Sequence, residues 1–527
     1  MALSPVSSIG SHTSVTQLAK DLKSDDLNVQ NTALAALIDF TSTPEGKVAV
    51  IEEGTVIPLV AGHLNSIDNR LRKAAAGVIY HLASLSDGNT AILKEGRSIP
   101  NLVKCLKSED FGVKYFALLA FGNLCGSSDE GKSAVLEIEE TTSLIVNCLA
   151  SEDEALMRGA ALVIVNLTVA PAGKTAFLSK NETIPLLVHR LGSSDEKLVL
   201  YALSALANLT GSKVGRVAIA SEEKTALHLI GCLNRTHEMR IPAMATLANL
   251  AAEEEGRVAI FAVKTAITLM VACLNTANPN LTKKAAQALA NFTSLDDAKI
   301  AVLKFDTAIP SLVSCLGSTD DRLVLYAMET LSNLFEVEDT EELCVKALEG
   351  YVPRLTELLT STDPDLSSSS ARLLGNLAIS ADGITCILKV NTAILSLMQC
   401  LDSPHEEVIF FAMRAIYTLT AVDVAEGAIL QIEESINLIV KCLSSTRNKT
   451  KLYALGALAN IIESGAGQAA ILSIKDVFTP LLVACLDSTD ANIRKYANRI
   501  HGQLPQLETG RFAIRRMENG MTSIYIS

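Results

Sequence analysis

The chain has 527 residues, of which 49% are apolar but only 4% aromatic, and it contains no tryptophan. Its hydrophobic residues are therefore mostly alanine, leucine, valine and isoleucine, a composition that suits closely packed helices. Lys and Arg number 45 against 58 Asp and Glu, which gives a net charge of −13. No long basic run is present, so general nucleic-acid binding is not expected. No apolar stretch reaches the ~18 residues of a membrane-spanning helix, and direct membrane insertion is not expected either.

The first residues, MALSPVSSIGSHTS, contain no basic region followed by an apolar core. Ala2 also stands where N-myristoylation requires a glycine. We therefore expect a cytoplasmic protein, with nuclear or ciliary locations reached through partners as alternatives. Residues 1–13 are predicted to be a flexible segment.

A repeat of about 42 residues follows. The pattern Ala-Leu-x-Asn-Leu recurs with spacings of 41 to 43 residues, and such a period is typical of a helical repeat protein. In each period the apolar spacing predicts three helices, as in IAVLKF, TAIPSLVSCL and DDRLVLYAMETLSNLF within residues 300–335. The polar residue of the pattern lies in the third helix, at Asp39, His81, Asn123, Asn166, Asn208, Asn249, Asn291, Asn333, Asn376, Thr418, Asn460 and Gln503.

Turn residues separate the predicted helices. A proline in the first turn of the second helix loses no hydrogen bond, because that N–H has no partner within the helix. Such prolines are Pro58, Pro100, Pro185, Pro310, Pro353 and Pro480. A Ser-x-Asp sequence precedes the third helix, and its aspartate is a predicted N-cap. These caps are Asp110, Asp153, Asp195, Asp320, Asp363 and Asp490. Gly54 and Gly96 lie between first and second helices, and where Glu223 or Glu433 replaces glycine we expect a different turn.

A three-helix repeat of about 42 residues whose last helix reads Ala-Leu-x-Asn-Leu resembles the armadillo family. The resemblance covers residues 14–516 and implies an all-α, right-handed superhelical armadillo solenoid. The predicted organisation is one solenoid, with a partial repeat at 14–43 and eleven full repeats at about 44–507. The sequence ETGRFAIRRM matches an earlier first helix, so a terminal partial repeat is predicted at about 508–516, followed by a C-terminal stub at 517–527.

Eight of the eleven cysteines occupy one position, before a leucine of the second helix. These are Cys105, Cys148, Cys232, Cys273, Cys315, Cys400, Cys442 and Cys485. Neighbouring copies in a helical stack would lie ~8–10 Å apart, too far for a disulfide or a shared zinc ion. They are predicted to be buried core residues. The chain also has no phosphate-loop, dinucleotide or paired-histidine motif, so neither a cofactor nor an enzymatic activity is expected.

The asparagines of the repeat are the main candidate site. At 100° per residue each lies at the edge of the apolar face of its helix, so stacked third helices would align the amides on one surface. We call the twelve polar positions the amide ladder. In armadillo proteins this surface is the concave groove, where amides can pair with an extended peptide. The alternative, that the amides only tie adjacent repeats together, remains open. The candidate residues are Asn123, Asn166, Asn208, Asn249, Asn291, Asn333, Asn376 and Asn460.

Other candidate residues lie beside the ladder. Tyr201, Tyr326 and Tyr453 stand seven residues before a ladder position, where they could stack on a ligand or seal the core edge. Four residues before a ladder position stand Arg372, Arg414 and Arg499. Because guanidinium groups pair well with carboxylates, these arginines predict an acidic partner segment at the C-terminal end of the groove. Alternatively, they bridge to acidic residues of adjacent repeats, such as Glu406 and Glu407.

The expected function is that of a non-enzymatic scaffold or adaptor that binds extended or helical segments of other proteins along the asparagine-lined groove. One alternative is an axonemal or cytoskeletal structural protein that uses its outer surface. A nuclear-transport adaptor is a further alternative, but the chain lacks the tryptophan array that such armadillo proteins carry.

Overall fold

The computed structural model describes residues 14–338, 340–503, 513–516 and 522–525. In these residues the chain forms a succession of α-helices, and it divides into two compact units, unit 1 (Met1–Ala266) and unit 2 (Ile267–Ser527).

The helices of unit 1 follow the predicted order, with one second and one third helix ahead of the first complete triplet. They are α1 (Val15–Asp21), α2 (Leu27–Thr41), α3 (Pro44–Glu53), α4 (Val56–His63), α5 (Asn69–Leu82), α6 (Ser86–Glu95), α7 (Ser98–Leu106), α8 (Phe111–Ser127), α9 (Asp129–Leu136), α10 (Thr141–Leu149), α11 (Glu154–Thr168), α12 (Pro171–Leu178), α13 (Thr183–Arg190), α14 (Glu196–Leu209), α15 (Lys213–Ala220), α16 (Thr225–Cys232), α17 (His237–Leu250) and α18 (Glu254–Phe261).

Unit 2 continues the same triplets. Its helices are α19 (Ala266–Leu274), α20 (Pro279–Phe292), α21 (Asp296–Leu303), α22 (Ala308–Cys315), α23 (Asp321–Leu334), α24 (Glu341–Leu348), α25 (Val352–Leu358), α26 (Pro364–Leu377), α27 (Ala381–Leu388), α28 (Ala393–Gln399), α29 (Glu406–Leu419), α30 (Asp423–Leu430), α31 (Ser435–Lys441), α32 (Asn448–Ile461), α33 (Gly465–Ser473), α34 (Lys475–Leu486) and α35 (Ala491–Gln503). Short 3₁₀ turns lie at Glu349–Tyr351, Cys400–Asp402 and Cys442–Ser444.

The third helices pack side by side and form the continuous layer of each unit. In unit 1 each of α2, α5, α8, α11 and α14 contacts the next third helix, and in unit 2 the series runs from α20 through α23, α26, α29 and α32 to α35. Their inner faces are fully buried leucines, alanines and isoleucines, such as Leu206 and Leu331. This is the helix arrangement expected of an armadillo-type repeat, in which each repeat buries its apolar face against its neighbours.

The predicted N-caps of the third helices are confirmed. The Asp195 carboxylate accepts hydrogen bonds from the N–H groups of Lys197 and Leu198, both at 3.0 Å, and the other five aspartates make equivalent bonds. The preceding serine adds a second bond, since Ser193 Oγ accepts from the N–H of Asp195 at 3.0 Å. Each Ser-x-Asp sequence therefore fixes both the turn and the start of the third helix.

The turn between first and second helices takes more than one form. Gly54 and Gly96 have φ of 71° and 80°, the left-handed conformation that glycine adopts at little cost. At two other junctions Lys224 and Glu434 take this conformation, both with φ of 65°. These residues lie one position after Glu223 and Glu433, which stand in the sequence where other repeats have Gly54 and Gly96. The different turn expected there is thus a left-handed residue shifted by one position.

A glycine column that the sequence analysis did not identify fixes the entry to the first helix. The third residue of α15 is Gly215, where an added Cβ would lie 2.0 Å from the carbonyl oxygen of Leu209. Ser212 caps the same helix by accepting from the N–H of Gly215 at 3.1 Å. Glycines in the same place and with the same close approach are Gly46, Gly88, Gly131, Gly173, Gly256, Gly383 and Gly467. The first helix can approach the end of the preceding third helix closely because no side chain intervenes.

Two sequence predictions about the last repeat are wrong. Pro480 lies inside α34 rather than in its first turn, because α33 and α34 are separated only by Ile474 and α34 begins at Lys475. The predicted terminal helix at 508–516 is not formed where the structure describes it. Instead β1 (Ala513–Arg516) pairs antiparallel with β2 (Thr522–Tyr525), within the predicted stub. Resemblance of a sequence to a first helix does not set its conformation, because a single short helix is only marginally stable without tertiary packing.

The remaining predicted boundaries lie partly outside the described residues, namely the flexible segment at 1–13 and residues 508–512. Over the described chain, no single helix is long and apolar enough to cross a membrane. Three pairs of helices joined at a sharp bend reach the length and apolar composition of a membrane span when the two helices are taken together.

All eleven cysteines are buried, as predicted for the eight in the second helices. Burial raises the pKa of Cys125, Cys344 and Cys442 to about 12 and that of Cys400 to about 11. Thiols in this state are neither ionised nor accessible near pH 8, so we expect slow modification by a thiol reagent until the protein is unfolded. A colorimetric thiol assay at pH 8, with and without denaturant, measures this. Rapid native labelling of most cysteines would contradict the assignment of these residues to the core.

Candidate functional site

The ladder asparagines use one amide proton to join adjacent third helices. Asn123 on α8 donates from Nδ2 to the carbonyl oxygen of Tyr80 on α5 at 2.9 Å. Asn166 on α11 donates in the same way to Gly122 on α8 at 2.8 Å. These carbonyls precede the donor by about one repeat, so the amide connects each repeat to the one before it.

Other ladder asparagines bind a threonine side chain of the preceding repeat. Asn208 donates to Thr168 Oγ1 at 3.3 Å and to the carbonyl oxygen of Val165 at 3.1 Å. Asn249 donates to Thr210 Oγ1 at 3.0 Å. In unit 2 the equivalent donors are Asn333, which bonds Thr293 Oγ1 at 3.1 Å, and Asn460, which bonds Thr420 Oγ1 at 3.3 Å. Each threonine follows a ladder position by two residues. This partner was not predicted, although the pattern Asn-x-Thr is present at Thr168, Thr210 and Thr293.

The amides therefore do tie adjacent repeats together, but in unit 1 and at Asn460 these bonds use only part of each amide. An asparagine amide offers two N–H donors and a carbonyl acceptor. In the described part of the chain, the Oδ1 atoms of Asn123, Asn166, Asn208, Asn249 and Asn460 accept no hydrogen bond from a protein donor. These five asparagines, with Asn291 on α20, are half-buried at the surface of the third helices. The ladder thus ties repeats together and still presents polar groups outward.

The predicted tyrosines lie on the same helices in two different environments. Tyr201 on α14 and Tyr326 on α23 are half-buried, and burial raises the pKa of Tyr326. Tyr453 on α32 belongs to an aromatic cluster, with its ring centroid 5.7 Å from those of both Phe410 and Tyr417 on α29. Tyr453 therefore contributes to packing between neighbouring third helices.

The predicted arginines of unit 2 make contacts to the preceding repeat. Arg372 on α26 donates from Nη2 to Asn333 Oδ1 at 2.9 Å and pairs with Glu336 at 2.8 Å. Arg499 on α35 pairs with Glu463. These arginines thus bridge to adjacent repeats, as one alternative predicted. The predicted partners Glu406 and Glu407 are wrong. Those two are occupied elsewhere, since Glu406 accepts from Ser445 and Glu407 pairs with Arg447 at 2.7 Å.

Arg414 differs from the other two arginines. It donates from Nη2 to Asn376 Oδ1 at 2.6 Å, and among the described residues it has no carboxylate partner. Burial lowers the pKa of its guanidinium, although an arginine remains charged at neutral pH. Asn376 also donates to the carbonyl oxygen of Ser332 at 3.2 Å. Both Asn333 and Asn376 therefore have donor and acceptor engaged, unlike the asparagines of unit 1.

A charged network that the sequence analysis did not anticipate surrounds Glu336. Its carboxylate accepts from Lys299 Nζ at 2.7 Å as well as from Arg372 at 2.8 Å. Burial by itself would raise the pKa of Glu336, but the hydrogen bonds and charges of Lys299 and Arg372 outweigh it and hold the pKa below its ordinary value. Glu336 lies three residues after a ladder position, and Glu463 occupies the same place near Arg499. This offset is a sequence signal for arginine pairing across the ladder.

The depressed pKa of Glu336 makes a prediction about acid stability. A carboxyl whose pKa falls on folding stabilises the native state above its unfolded pKa, near 4.5, and loses that contribution as the pH falls through the folded value. Glu336→Gln should therefore be less stable than wild type at pH 6–7, with the two curves converging at low pH. Urea denaturation across the pH range measures the difference. Glu357→Gln, at a largely exposed pair with Arg354, is the control and should change stability little. A constant difference down to pH 3 would contradict the network.

The described residues contain no cluster of three or more His, Cys, Asp or Glu side chains arranged to hold a metal ion. A cavity of about 650 Å³ in unit 1, lined by Lys132, Leu136 and Pro171, lies beside α9 and α12 rather than on the ladder surface. The ladder is instead an open surface of aligned amides.

The solved structures that resemble this one include two that align with most of the chain. A crystal structure of an engineered protein aligns with a TM-score of 0.65 and 29% identity, covering 77% of this chain and 99% of that chain. A structure from work on a conserved phosphorylation switch that controls the interaction between cadherin and β-catenin aligns with a TM-score of 0.80 and 17% identity, covering 94% of this chain and 100% of that chain. No family model and no curated protein matches the sequence. The chain has the all-α fold of an armadillo-type helical solenoid.

Proposed function

We propose that this chain is a non-enzymatic scaffold in the cytoplasm that binds segments of other proteins along its amide ladder. The main support comes from four ladder asparagines of unit 1, Asn123, Asn166, Asn208 and Asn249. Each donates a hydrogen bond from its side-chain amide to the preceding repeat, and its Oδ1 accepts none from the described residues. A peptide in extended conformation presents N–H and C=O groups in regular alternation, which such amides can meet. The structural neighbour from work on cadherin and β-catenin comes from a study of a protein–protein interaction, and we assign this chain the same general class of partner.

The partner is proposed to be acidic where it contacts unit 2. Arg372, Arg414 and Arg499 lie on successive or nearby third helices, each four residues before a ladder position. Arg414 has no carboxylate partner in the described chain, so its charge is available to a ligand. Arg372 and Arg499 already have one each and would share it.

A peptide selection with a blocked ladder tests this function. Peptides selected from a random display library on the full chain are assayed against Ser204→Trp/Gln287→Trp, which places bulky rings four residues before Asn208 and Asn291. The control is Leu227→Trp/Leu395→Trp, with the same rings on exposed positions of second helices. We expect about tenfold or greater loss of affinity for the first variant, from lost backbone hydrogen bonds, and unchanged binding for the control. Equal binding to both variants would place the interaction elsewhere.

A further inference from the structure

One part of the ladder in unit 2 is closed by the protein itself. The Oδ1 acceptors of Asn333 and Asn376 are occupied by the guanidinium groups of Arg372 and Arg414, at 2.9 and 2.6 Å. Asn376 is only 3% exposed, whereas the other asparagines of the ladder are half-buried. The guanidinium groups therefore compete with a peptide N–H for these two acceptors.

The groups that hold the guanidinium groups of Arg372 and Arg414 in place compensate their charge only in part. A neutral amide is a poorer partner for a guanidinium than a carboxylate, which can accept two parallel hydrogen bonds. Among the described residues Arg414 has only the amide as a hydrogen-bond partner, and burial outweighs the favourable interactions with Tyr453 and Glu336 and lowers the pKa of its guanidinium group. Arg372 shares the carboxylate of Glu336 with Lys299, which also pairs with Asp296 at 3.0 Å, so the guanidinium group does not have that carboxylate to itself. An incoming carboxylate would therefore bind both arginines more strongly than the amides do.

We propose that Arg372 and Arg414 act as plugs, that is, side chains that occupy the ladder acceptors until a partner binds. An acidic segment of a partner protein draws them away from Asn333 and Asn376. Carboxylates of the segment take over the guanidinium groups, and this frees the Oδ1 atoms of Asn333 and Asn376 for the backbone of the same segment. A segment without carboxylates meets a ladder whose acceptors are already filled. Charge recognition is thereby coupled to backbone recognition in unit 2.

The spacing of the two arginines suits such a segment. Neighbouring third helices lie ~8–10 Å apart, and side chains on one face of an extended peptide repeat every ~7 Å. The long, flexible arginine side chains can span the difference. The inference rests on the proposed function, since it assumes that the ladder binds an extended segment.

Two synthetic peptides test the plug in the full chain. One is a capped (Glu-Ser)₅ peptide and the other is the matched (Gln-Ser)₅ peptide, each carrying the same fluorophore for anisotropy titration. The wild-type protein should bind the Glu peptide about tenfold or more tightly than the Gln peptide. With Arg414→Ala, binding of the Glu peptide should weaken, and binding of the Gln peptide should become about threefold or more tighter than to wild type, because Asn376 is freed. Arg372→Ala, at the neighbouring rung, should shift both affinities in the same directions.

Arg354→Ala is the matched control, since it removes one positive charge from α25, a second helix of unit 2. It should leave both affinities unchanged. Three results would overturn the plug. These are wild-type binding without a charge preference, no wild-type binding of the Glu peptide, and equal weakening of both peptides by Arg414→Ala. In each of these cases the proposed function survives if selected peptides still lose affinity for the Trp-blocked ladder, so the two failures can be told apart.

Discussion

Gly215→Ala is expected to destabilise the protein by about 3 kcal/mol, because the new methyl group meets backbone rather than a movable side chain. The added Cβ would lie 2.0 Å from the carbonyl oxygen of Leu209 and 3.1 Å from Ser212 Oγ, the atom that caps α15. Relief requires α15 to move away from the end of α14, which also weakens the cap. Urea unfolding followed by circular dichroism measures the loss.

Gly231→Ala is the matched control for this prediction. It adds the same methyl group inside the neighbouring helix α16, where nothing lies within 4 Å of the new Cβ. Alanine is the better helix former, so this variant should be as stable as wild type or more stable by up to ~1 kcal/mol. If both variants have the same stability, the close approach at the start of the first helices does not limit the packing of the repeat.

The second large effect is expected for Asn376→Ala, at about 3 kcal/mol of lost stability. The substitution removes the acceptor for Arg414 and the donor to Ser332, and it leaves the half-buried guanidinium group of Arg414 without its hydrogen-bond partner. Unpaired buried groups cost ~1–3 kcal/mol each, and charged ones cost more. Chemical denaturation of the variant gives the loss directly.

Asn460→Ala separates the arginine contribution from the ordinary inter-repeat bond. Within the described chain the Asn460 side chain makes one hydrogen bond, to Thr420 at 3.3 Å, and no arginine bonds its oxygen, so the substitution should cost about 1 kcal/mol. The double variant Asn376→Ala/Arg414→Met should be more stable than Asn376→Ala alone, since the unpaired charge is then absent. An equal loss for the two asparagines would argue against a buried role for Arg414.

Much of the fold was predictable because a repeat presents the same evidence many times. The spacing of 41 to 43 residues predicted the order of three helices, and the Ser-x-Asp sequences predicted where third helices begin. The buried cysteines followed from their fixed place in the second helices. The prediction failed at the last repeat, where ETGRFAIRRM matches a first helix in sequence but Ala513–Arg516 forms a strand. Similarity to one helix of a repeat does not supply its tertiary contacts.

The site was predictable in position but not in detail. Helix geometry alone puts the ladder asparagines at the edge of the core, but which amide atoms are used depends on the neighbouring repeat. Thr168 is two residues after one ladder position and bonds Asn208 of the next repeat, a relation visible only across a full period. The plug of Arg414 on Asn376 also depends on side-chain direction. The glycine column could have been found from its regular offset after the ladder.

A crystal structure of the full chain with a selected peptide is the most direct test of the central claim that the amide ladder binds an extended protein segment. The account predicts electron density for the peptide along third helices, with backbone N–H groups ~2.9 Å from the Oδ1 atoms of ladder asparagines such as Asn166 and Asn208. If the peptide lies instead on the first or second helices and those Oδ1 atoms face only solvent, the ladder ties the repeats together and the account of its function is wrong.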